Sequence, residues 1–540
     1  MGRLLWTSAD FGMRLMIFAL LASLSSCSTS PQAFSNSDVF RYNEYRNVTS
    51  LDPAFARNPQ NIWPANQLFN GLVQLDSTLQ IQPEIATHWD ISDDGLEYVF
   101  HLRKDVYFHE SAVFAPKKTR PVIASDFIYS FQRLTDPKLA SPGGWVMQNV
   151  NSMAAINDHE LKITLKKPFP AFLGLLTMRY CAVVPKEAVE QLGAEFRRAP
   201  IGTGPFQFKF WEEDVKLVLR KNNAYFEKDT QGTPLPYLEA VAIQFIPDIQ
   251  SEFMLFLQGK LDFLNSLDSS YKDELLTPEG ELQSKYKDHI QLQVGPYLNT
   301  EYIGIFMDSD NPAIQSKAIR EAMAIGFDRK KMILFLRNNI GFEAVNGFIP
   351  IGLPGHSNDI RIPYDPERAR ALVASYISKT GNTPTLRLAT DANYLDLCQY
   401  IQREVEKLGI VLQIDLMPTA SLRQAKSSGK LELFRASWIA DYPDAENYLG
   451  LYYSKNFSPN GPNYTHYKNA TYDRWFESSY AMKDFTQREA IYQKMDSLMT
   501  LDFPVIPLYY DKAVRFVQKN VSGLPMNPIN ILHLKTVRKE

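Results

Sequence analysis

Cysteine is scarce in this chain, which has 540 residues and three cysteines in all. Cys181 and Cys398 are far apart and each lies in an apolar run. This excludes a disulfide framework and predicts two buried, inert thiols. An excess of positive charge is also absent, because 57 basic and 60 acidic residues give a net charge of -3. Without a general basic field, no nucleic-acid partner is expected.

Local motifs of common enzyme classes are missing too. The chain has no Gly-x-Ser-x-Gly elbow, no phosphate-binding glycine loop and no His-Glu-x-x-His helix, and its eight histidines are scattered. Adjacent acids such as Asp93 and Asp94 are typical of solvated turns, whereas catalytic carboxylates face each other across a bond. The run that begins at Asp308 lacks the glycine and distal glutamate of a calcium loop. No enzymatic activity, cofactor or metal is expected.

Long apolar runs are limited to one segment near the N-terminus. Residues 15–24 are apolar but too few to span a bilayer, and they follow Arg14 and precede Ser-Ser-Cys27. Small residues before a cysteine resemble a bacterial lipoprotein signal. The pattern predicts a signal peptide over residues 1–26, lipidation of Cys27, a tether over residues 27–38, and a protein anchored to a bacterial membrane that faces the periplasm or the exterior. An ordinary signal peptide with an incidental cysteine is the alternative, and Met13 is an alternative start.

Strand and helix patterns alternate along the rest of the chain. Residues 386–389 predict a strand, residues 392–408 an amphipathic helix stopped by Gly409, and residues 410–416 a second strand. This order predicts a crossover between parallel strands. The class is therefore α/β.

Two further elements are well marked. Asp365 followed by proline predicts the start of a helix over residues 367–379, whose apolar face is formed by Ala369, Leu372, Val373 and Tyr376. Alternation over residues 97–103 predicts a strand, so antiparallel additions are expected.

The segment over residues 435–444 places a cation, an indole and a carboxylate in a turn that contains proline. It has neither His nor Cys, which favours a binding surface over a catalytic centre. Each residue has an alternative role: Asp441 can cap the turn, Trp438 can belong to the core, and Arg435 can pair with a structural acid. Asp444 and Glu446 are predicted to be solvated turn acids.

Several short motifs occur in a fixed order along the chain. They include Leu-Asp-Pro at 51, Leu-Phe-Asn-Gly-Leu at 68, Pro-Glu-Ile-Ala at 83 and Gly-Thr-Gly-Pro-Phe at 202. Together they resemble the oligopeptide and dipeptide solute-binding proteins of bacterial ATP-driven importers, from about residue 39 to the C-terminus.

The resemblance implies a hinged, two-lobed periplasmic-binding-protein-like fold of type II, with the ligand cleft between the lobes and an extra subdomain in the first. Hinge crossings are expected near residues 294–297 and 507–510. The expected boundaries are lobe I at 39–69, 185–295 and 507–540, its extra subdomain at 70–184, and lobe II at 296–506.

The same resemblance implies a short peptide as ligand. Asp441 would pair with its free α-amino group, because a desolvated ammonium needs an anionic partner. Trp438 would form an apolar wall, and Arg435 would help to neutralise buried carboxylates. Backbone groups of this segment would add strand-like hydrogen bonds. The other expected ligand-binding residues are Ser437, Ile439, Ala440, Tyr442 and Trp145. The implied partners are importer permease subunits and, through the lipid, a membrane; a monomer is expected.

Some positions depart from the family pattern. Arg57 stands where relatives have an acid, Gly143 where they have tyrosine and Thr419 where they have tryptophan, and a lysine is missing near Asp310. A non-peptide ligand such as a metal chelate, haem or sugar, or a signalling peptide, is therefore the alternative. A purely structural envelope lipoprotein is a further one, although such a role needs no closing cleft.

Overall fold

The computed structural model describes residues 38–265, 271–482 and 484–540. The predicted signal peptide, Met13, Cys27 and all but the last residue of the tether lie outside the described residues. Every helix within these ranges is too short or too polar to cross a membrane.

The strands, in chain order, are β1 (Val39–Asn43), β2 (Val73–Leu75), β3 (Ile81–Pro83), β4 (Ala86–Ile91), β5 (Glu97–Leu102), β6 (Val150–Asn157), β7 (Glu160–Leu165), β8 (Phe206–Glu212), β9 (Lys216–Lys221), β10 (Ala240–Gln244), β11 (Phe263–Asn265), β12 (Ile290–Ile305), β13 (Phe342–Glu343), β14 (Thr385–Thr390), β15 (Val411–Leu416), β16 (Leu433–Ile439), β17 (Val505–Gln518), β18 (Val521–Ser522) and β19 (Arg538–Lys539). The α-helices are α1 (Pro59–Leu68), α2 (Ala124–Thr135), α3 (Phe172–Leu176), α4 (Lys186–Leu192), α5 (Ile249–Leu257), α6 (Lys272–Leu275), α7 (Pro312–Gln315), α8 (Lys317–Ile325), α9 (Arg329–Arg337), α10 (Pro366–Thr380), α11 (Leu395–Glu406), α12 (Thr419–Ser427), α13 (Glu446–Leu449), α14 (Ala470–Ser479) and α15 (Phe485–Asp502).

The largest sheet joins strands from both ends of the chain, in the order β15-β14-β16-β12-β17-β11-β1-β10-β9-β8, with β13 beside β17. Its two long central strands, β12 and β17, pair antiparallel, and the register shifts between Pro296 and Thr300. They connect the strands at 385–439 with those near the N-terminus. The predicted hinge segments fall within β12 and β17, and the lobe boundaries stay a prediction.

A separate antiparallel sheet, β4-β5-β7-β6, lies in the region predicted as the extra subdomain. The predicted strand over residues 97–103 is confirmed as β5, whose residues are alternately buried and half-buried. One face of this strand therefore packs on the core.

The predicted crossover is confirmed. β14 and β15 pair in parallel from Thr385 opposite Val411 to Thr390 opposite Leu416. The helix between them starts later than predicted: a short 3₁₀ helix, Ala392–Tyr394, precedes α11, because the Asp391 side chain accepts a hydrogen bond from the Asn393 amide at 3.0 Å. Gly409 has φ of +93°, as the predicted stop requires.

The second predicted helix is confirmed as α10. The Asp365 carboxylate accepts a hydrogen bond from the Arg368 amide at 2.9 Å, and Gly381 ends the helix with φ of +73°. Its predicted apolar face packs on the core through Ala369, Val373 and Tyr376, with Leu372 partly buried beside them. These elements confirm the α/β class.

Both described cysteines are buried free thiols, as predicted. Burial raises the pKa of Cys398 to about 11 and raises that of Cys181 still further, so both stay protonated and unreactive near neutral pH.

Candidate functional site

β16 carries the predicted site, and one of its edges is open. On one side it pairs with β12 along its whole length, from Ile305 opposite Leu433 to Asn299 opposite Ile439. On the other side β14 pairs only with Leu433 and Phe434. Within the described ranges, no strand continues this pairing along residues 435–439. The backbone there can accept an added strand.

Asp441 lies just beyond the C-terminal end of this open edge. Asn447 fixes the turn: its Oδ1 accepts hydrogen bonds from the Asp441 amide at 3.1 Å and the Trp438 ring N–H at 3.0 Å. Its Nδ2 donates to Asp441 Oδ2 at 3.3 Å. Among the described residues, no other side chain donates a hydrogen bond to this carboxylate. Asp441 therefore keeps most of its accepting capacity for a ligand.

The electrostatics of Asp441 suit a cationic partner. Its side chain reaches solvent-accessible space, yet the surrounding protein removes enough water to raise the pKa of the carboxyl; the Asn447 hydrogen bond and, after it, the charge of Arg57 oppose this. An ionised carboxylate in such a place is stabilised by a nearby positive charge. The capping role falls instead to Asp444, whose Oδ1 accepts from the Glu446 amide at 3.0 Å.

The prediction that Asp444 and Glu446 are solvated turn acids was wrong. Each is only 9% exposed. Asp444 pairs with Arg488 of α15 at 3.1 Å, and Glu446 accepts hydrogen bonds from the hydroxyls of Tyr442 and, at 2.8 Å, Tyr480. Burial raises the pKa of Glu446 to about 7. These partners cover the turn from later parts of the chain, so its local composition did not indicate burial.

Arg435 has a structural partner. Its guanidinium forms a buried ion pair with Glu301 of β12 and lies over the ring of Tyr394. Burial raises the pKa of Glu301, and the charge of Arg435 opposes that rise. The ion-pair alternative thus has a concrete partner, and contact of Arg435 with a ligand carboxylate stays a prediction.

A cavity of about 370 Å³ is bordered by Tyr394 and by residues of β17, among them Lys512. Arg337, also at its wall, donates to Asp511 at 3.2 Å. Lys512 has no ion pair with a described acid; it lies 4.2 Å from the centre of the Phe342 ring, and burial lowers its pKa. A cation without an anion is therefore available here for a negatively charged group.

The segment over residues 435–444 faces loops of the region predicted as the extra subdomain, which we call the opposite wall. The rings of Trp145 and Tyr442 lie 6.4 Å apart, and Tyr442 is buried in the core cluster of that wall. A Cβ at Gly143 would lie 2.5 Å from the ring of Tyr180. The Tyr180 ring thus fills the space beside Gly143 and leaves no room for a larger side chain.

The structure brings the predicted site residues together along one strand and one turn. Ile439 is 45% exposed beside the open edge, whereas the Ala440 amide is already bonded to the Leu298 carbonyl at 2.9 Å. Trp438 is partly buried against a core cluster. Contact of a ligand with these residues, and with Ser437, Tyr442 and Trp145, stays a prediction.

Four residues near the site were missed: Asn447, Glu301, Tyr394 and Tyr180. Asn447 is only six residues beyond Asp441, so the local sequence could have indicated that its side chain bonds to the turn. The other three approach the segment through tertiary structure alone.

The chain and its fold have counterparts among known proteins. Residues 80–460 match the model of bacterial extracellular solute-binding proteins, family 5 Middle. A probable di/tripeptide-binding protein 5 of Pseudomonas aeruginosa is 26% identical, with 94% of each chain covered. The probable deoxycholate-binding periplasmic protein YgiS of Escherichia coli is 27% identical over 92% of each. The periplasmic binding protein DppA from Helicobacter pylori, in complex with peptide STSA, superposes with a TM-score of 0.75 at 24% identity, covering 93% of this chain and 98% of its own.

Proposed function

The chain belongs to family 5 of the bacterial extracellular solute-binding proteins, which have the two-lobed fold and bind solutes for transport rather than catalysing reactions; we propose that this member captures short peptides in a closing cleft and delivers them to an ATP-driven importer. One observation carries the proposal: the open edge of β16 ends at Asp441, a carboxylate that no cation of the described residues contacts in an ion pair.

An extended peptide fits this arrangement with its α-amino group at Asp441. Its backbone would run back along residues 439–435, antiparallel to β16, and take up the unused hydrogen-bonding groups of that edge. Such bonds bind any sequence, because they involve the backbone alone. Trp438, which is partly buried at this edge, would line the pocket for a side chain.

Contacts between the two walls support a closing cleft. Tyr442 follows Asp441 directly and packs against Trp145 and Gly174 of the opposite wall. Closing the lobes therefore covers the amine site and removes water from it, which strengthens the attraction between ammonium and carboxylate.

We also propose that the protein works outside the cytoplasm, held to a membrane by a lipid on Cys27. In this position it would face the periplasm or the exterior and meet the permease subunits as a monomer. The lipoprotein pattern at residues 25–27 supports the anchor.

Native mass spectrometry of protein purified without denaturation tests the ligand class. We expect co-purified masses that fragment as short peptides with free amino ends. A bound steroid acid, sugar or metal chelate in their place would contradict the proposal. So would an empty protein that shows no thermal stabilisation by a library of two- to five-residue peptides.

Peptide affinity is expected to fall as the pH falls through the pKa of Asp441. In the free folded protein that pKa is raised above 3.8, whereas a bound ammonium would lower it, because it stabilises the carboxylate. Binding therefore releases a proton in the interval between the two values, and below the free pKa each unit of pH costs up to about tenfold in affinity.

Calorimetric titration in two buffers of different ionisation enthalpy, from about pH 4 to 7, measures this proton release. Asp441→Asn should abolish it. Affinity that is constant over this range in the wild-type protein would contradict the predicted link.

A further inference from the structure

Arg57 lies beside Tyr180, on the wall opposite Asp441. The 3₁₀ helix Pro53–Phe55 packs against the 3₁₀ helix Arg179–Cys181. Directly after the first of these, the Arg57 amide donates to the Phe55 carbonyl at 2.8 Å. This bond orders the Arg57 loop, and the contact between the two helices places that loop near Tyr180.

The turn that carries Asp441, after β16, also packs near Tyr180. A Cβ on Gly174, which is close in sequence to Tyr180, would lie 3.7 Å from Tyr442. The turn that carries Asp441 is thereby packed onto the wall that carries Tyr180 and Arg57.

The charges of Arg57 and Asp441 both act on the Tyr180 hydroxyl. Burial raises the pKa of Tyr180 to about 12, Arg57 lowers it and Asp441 raises it. The hydroxyl is thus neutral near pH 7 and can both donate and accept hydrogen bonds. The charge of Arg57 also acts on Asp441, and no ion pair within the described residues joins the two side chains.

The guanidinium of Arg57 is accessible and has no described acid in contact. Arg57 is exposed and borders a groove of about 1140 Å³. Asp52, an acid of the same groove, is already bound by Arg133 at 2.6 and 3.2 Å. Arg57 therefore keeps the planar pair of donors that binds a carboxylate in two places.

We propose that Arg57, with the Tyr180 hydroxyl, forms a subsite for a carboxylate on the first residue of the bound peptide, so that the protein prefers peptides that begin with Asp or Glu. This rests on the proposed function, because Asp441 must hold the α-amino group. Each later residue lies about 3.3 Å further along the β16 edge. Only the first side chain starts between the two charges.

Calorimetric affinities for Asp-Ala-Ala and its uncharged isostere Asn-Ala-Ala test the subsite. A carboxylate that pairs with arginine in a cleft from which part of the water is excluded is expected to give about a tenfold preference for the acidic peptide. Arg57→Gln should remove the preference, and Arg57→Glu should reverse it toward Lys-Ala-Ala. The matched control is Arg361→Gln, an exposed arginine of lobe II that should leave the ratio unchanged.

Equal affinity for Asp-Ala-Ala and Asn-Ala-Ala in the wild-type protein, or a preference that survives Arg57→Gln, would overturn the subsite. The same peptides as C-terminal amides separate the carboxylate of the first side chain from that of the peptide terminus. The preference for the acidic peptide should persist in the amides. Its loss would show that Arg57 binds the terminal carboxylate and would refute the proposal. If no peptide binds at all, the proposed function itself fails.

Discussion

Replacing Asp441 by alanine is expected to weaken the binding of a free-amine peptide by about 2 to 5 kcal/mol, which is about thirtyfold or more in affinity. The variant leaves the peptide ammonium in a cleft where few other groups can accept its hydrogen bonds. Asn447 cannot compensate, because its Oδ1 already accepts from the Asp441 amide and the Trp438 ring. Calorimetry with a neutral tripeptide measures the loss.

A double cycle assigns the effect to the amine. N-acetylation of the peptide should cost the wild-type protein about as much as the mutation does, and should cost the Asp441→Ala variant little more, since the two changes remove one interaction. Glu406→Ala, at an exposed acid of α11, is the matched control. Unchanged affinity in a folded Asp441→Ala protein, or additive losses in the cycle, would refute the amine pocket.

Local sequence patterns predicted the elements whose signals are local. The crossover from β14 to β15, over residues 385–416, follows from periodicity and a glycine stop, and helix α10 follows from periodicity and an Asp cap. The arrangement of strands in the large sheet could not be derived in this way. It depends on β12 and β17, which are separated by 199 residues between Ile305 and Val505, and only the family resemblance pointed to a hinge.

The site shows the same division. The order of Trp438 and Asp441 indicated a binding surface, and the structure places Trp438 near the end of β16 and Asp441 in the turn that follows. The surroundings of neighbouring charges were not predictable, because their partners are remote: Arg488 for Asp444, and Glu301 for Arg435. Whether a turn acid is solvated or buried depends on which later helix covers it.

Breaking the Glu301–Arg435 pair from one side is expected to lower the free energy of unfolding by about 3 to 5 kcal/mol. The side chains of Glu301 and Arg435 are 3% and 8% exposed. Arg435→Met therefore leaves a carboxylate buried without its cation, and Glu301→Leu leaves a guanidinium buried without its anion. The double variant should recover most of the loss, because neither charge remains. Urea unfolding measures all three. Lys162→Met, which breaks the more exposed pair with Glu97, should cost no more than about 1 kcal/mol.

The double variant also separates the two roles of Arg435. With stability restored, any remaining loss of peptide affinity reports what Arg435 does for the ligand and not for the fold. If Arg435 acts only as the partner of Glu301, Glu301→Leu with Arg435→Met should bind a neutral tripeptide as tightly as the wild type, and amidation of the peptide terminus should affect both proteins equally. If it also meets the terminal carboxylate, the double variant should bind more weakly and lose its sensitivity to amidation. Single variants that unfold no more readily than the wild type would show instead that the pair contributes nothing to the fold.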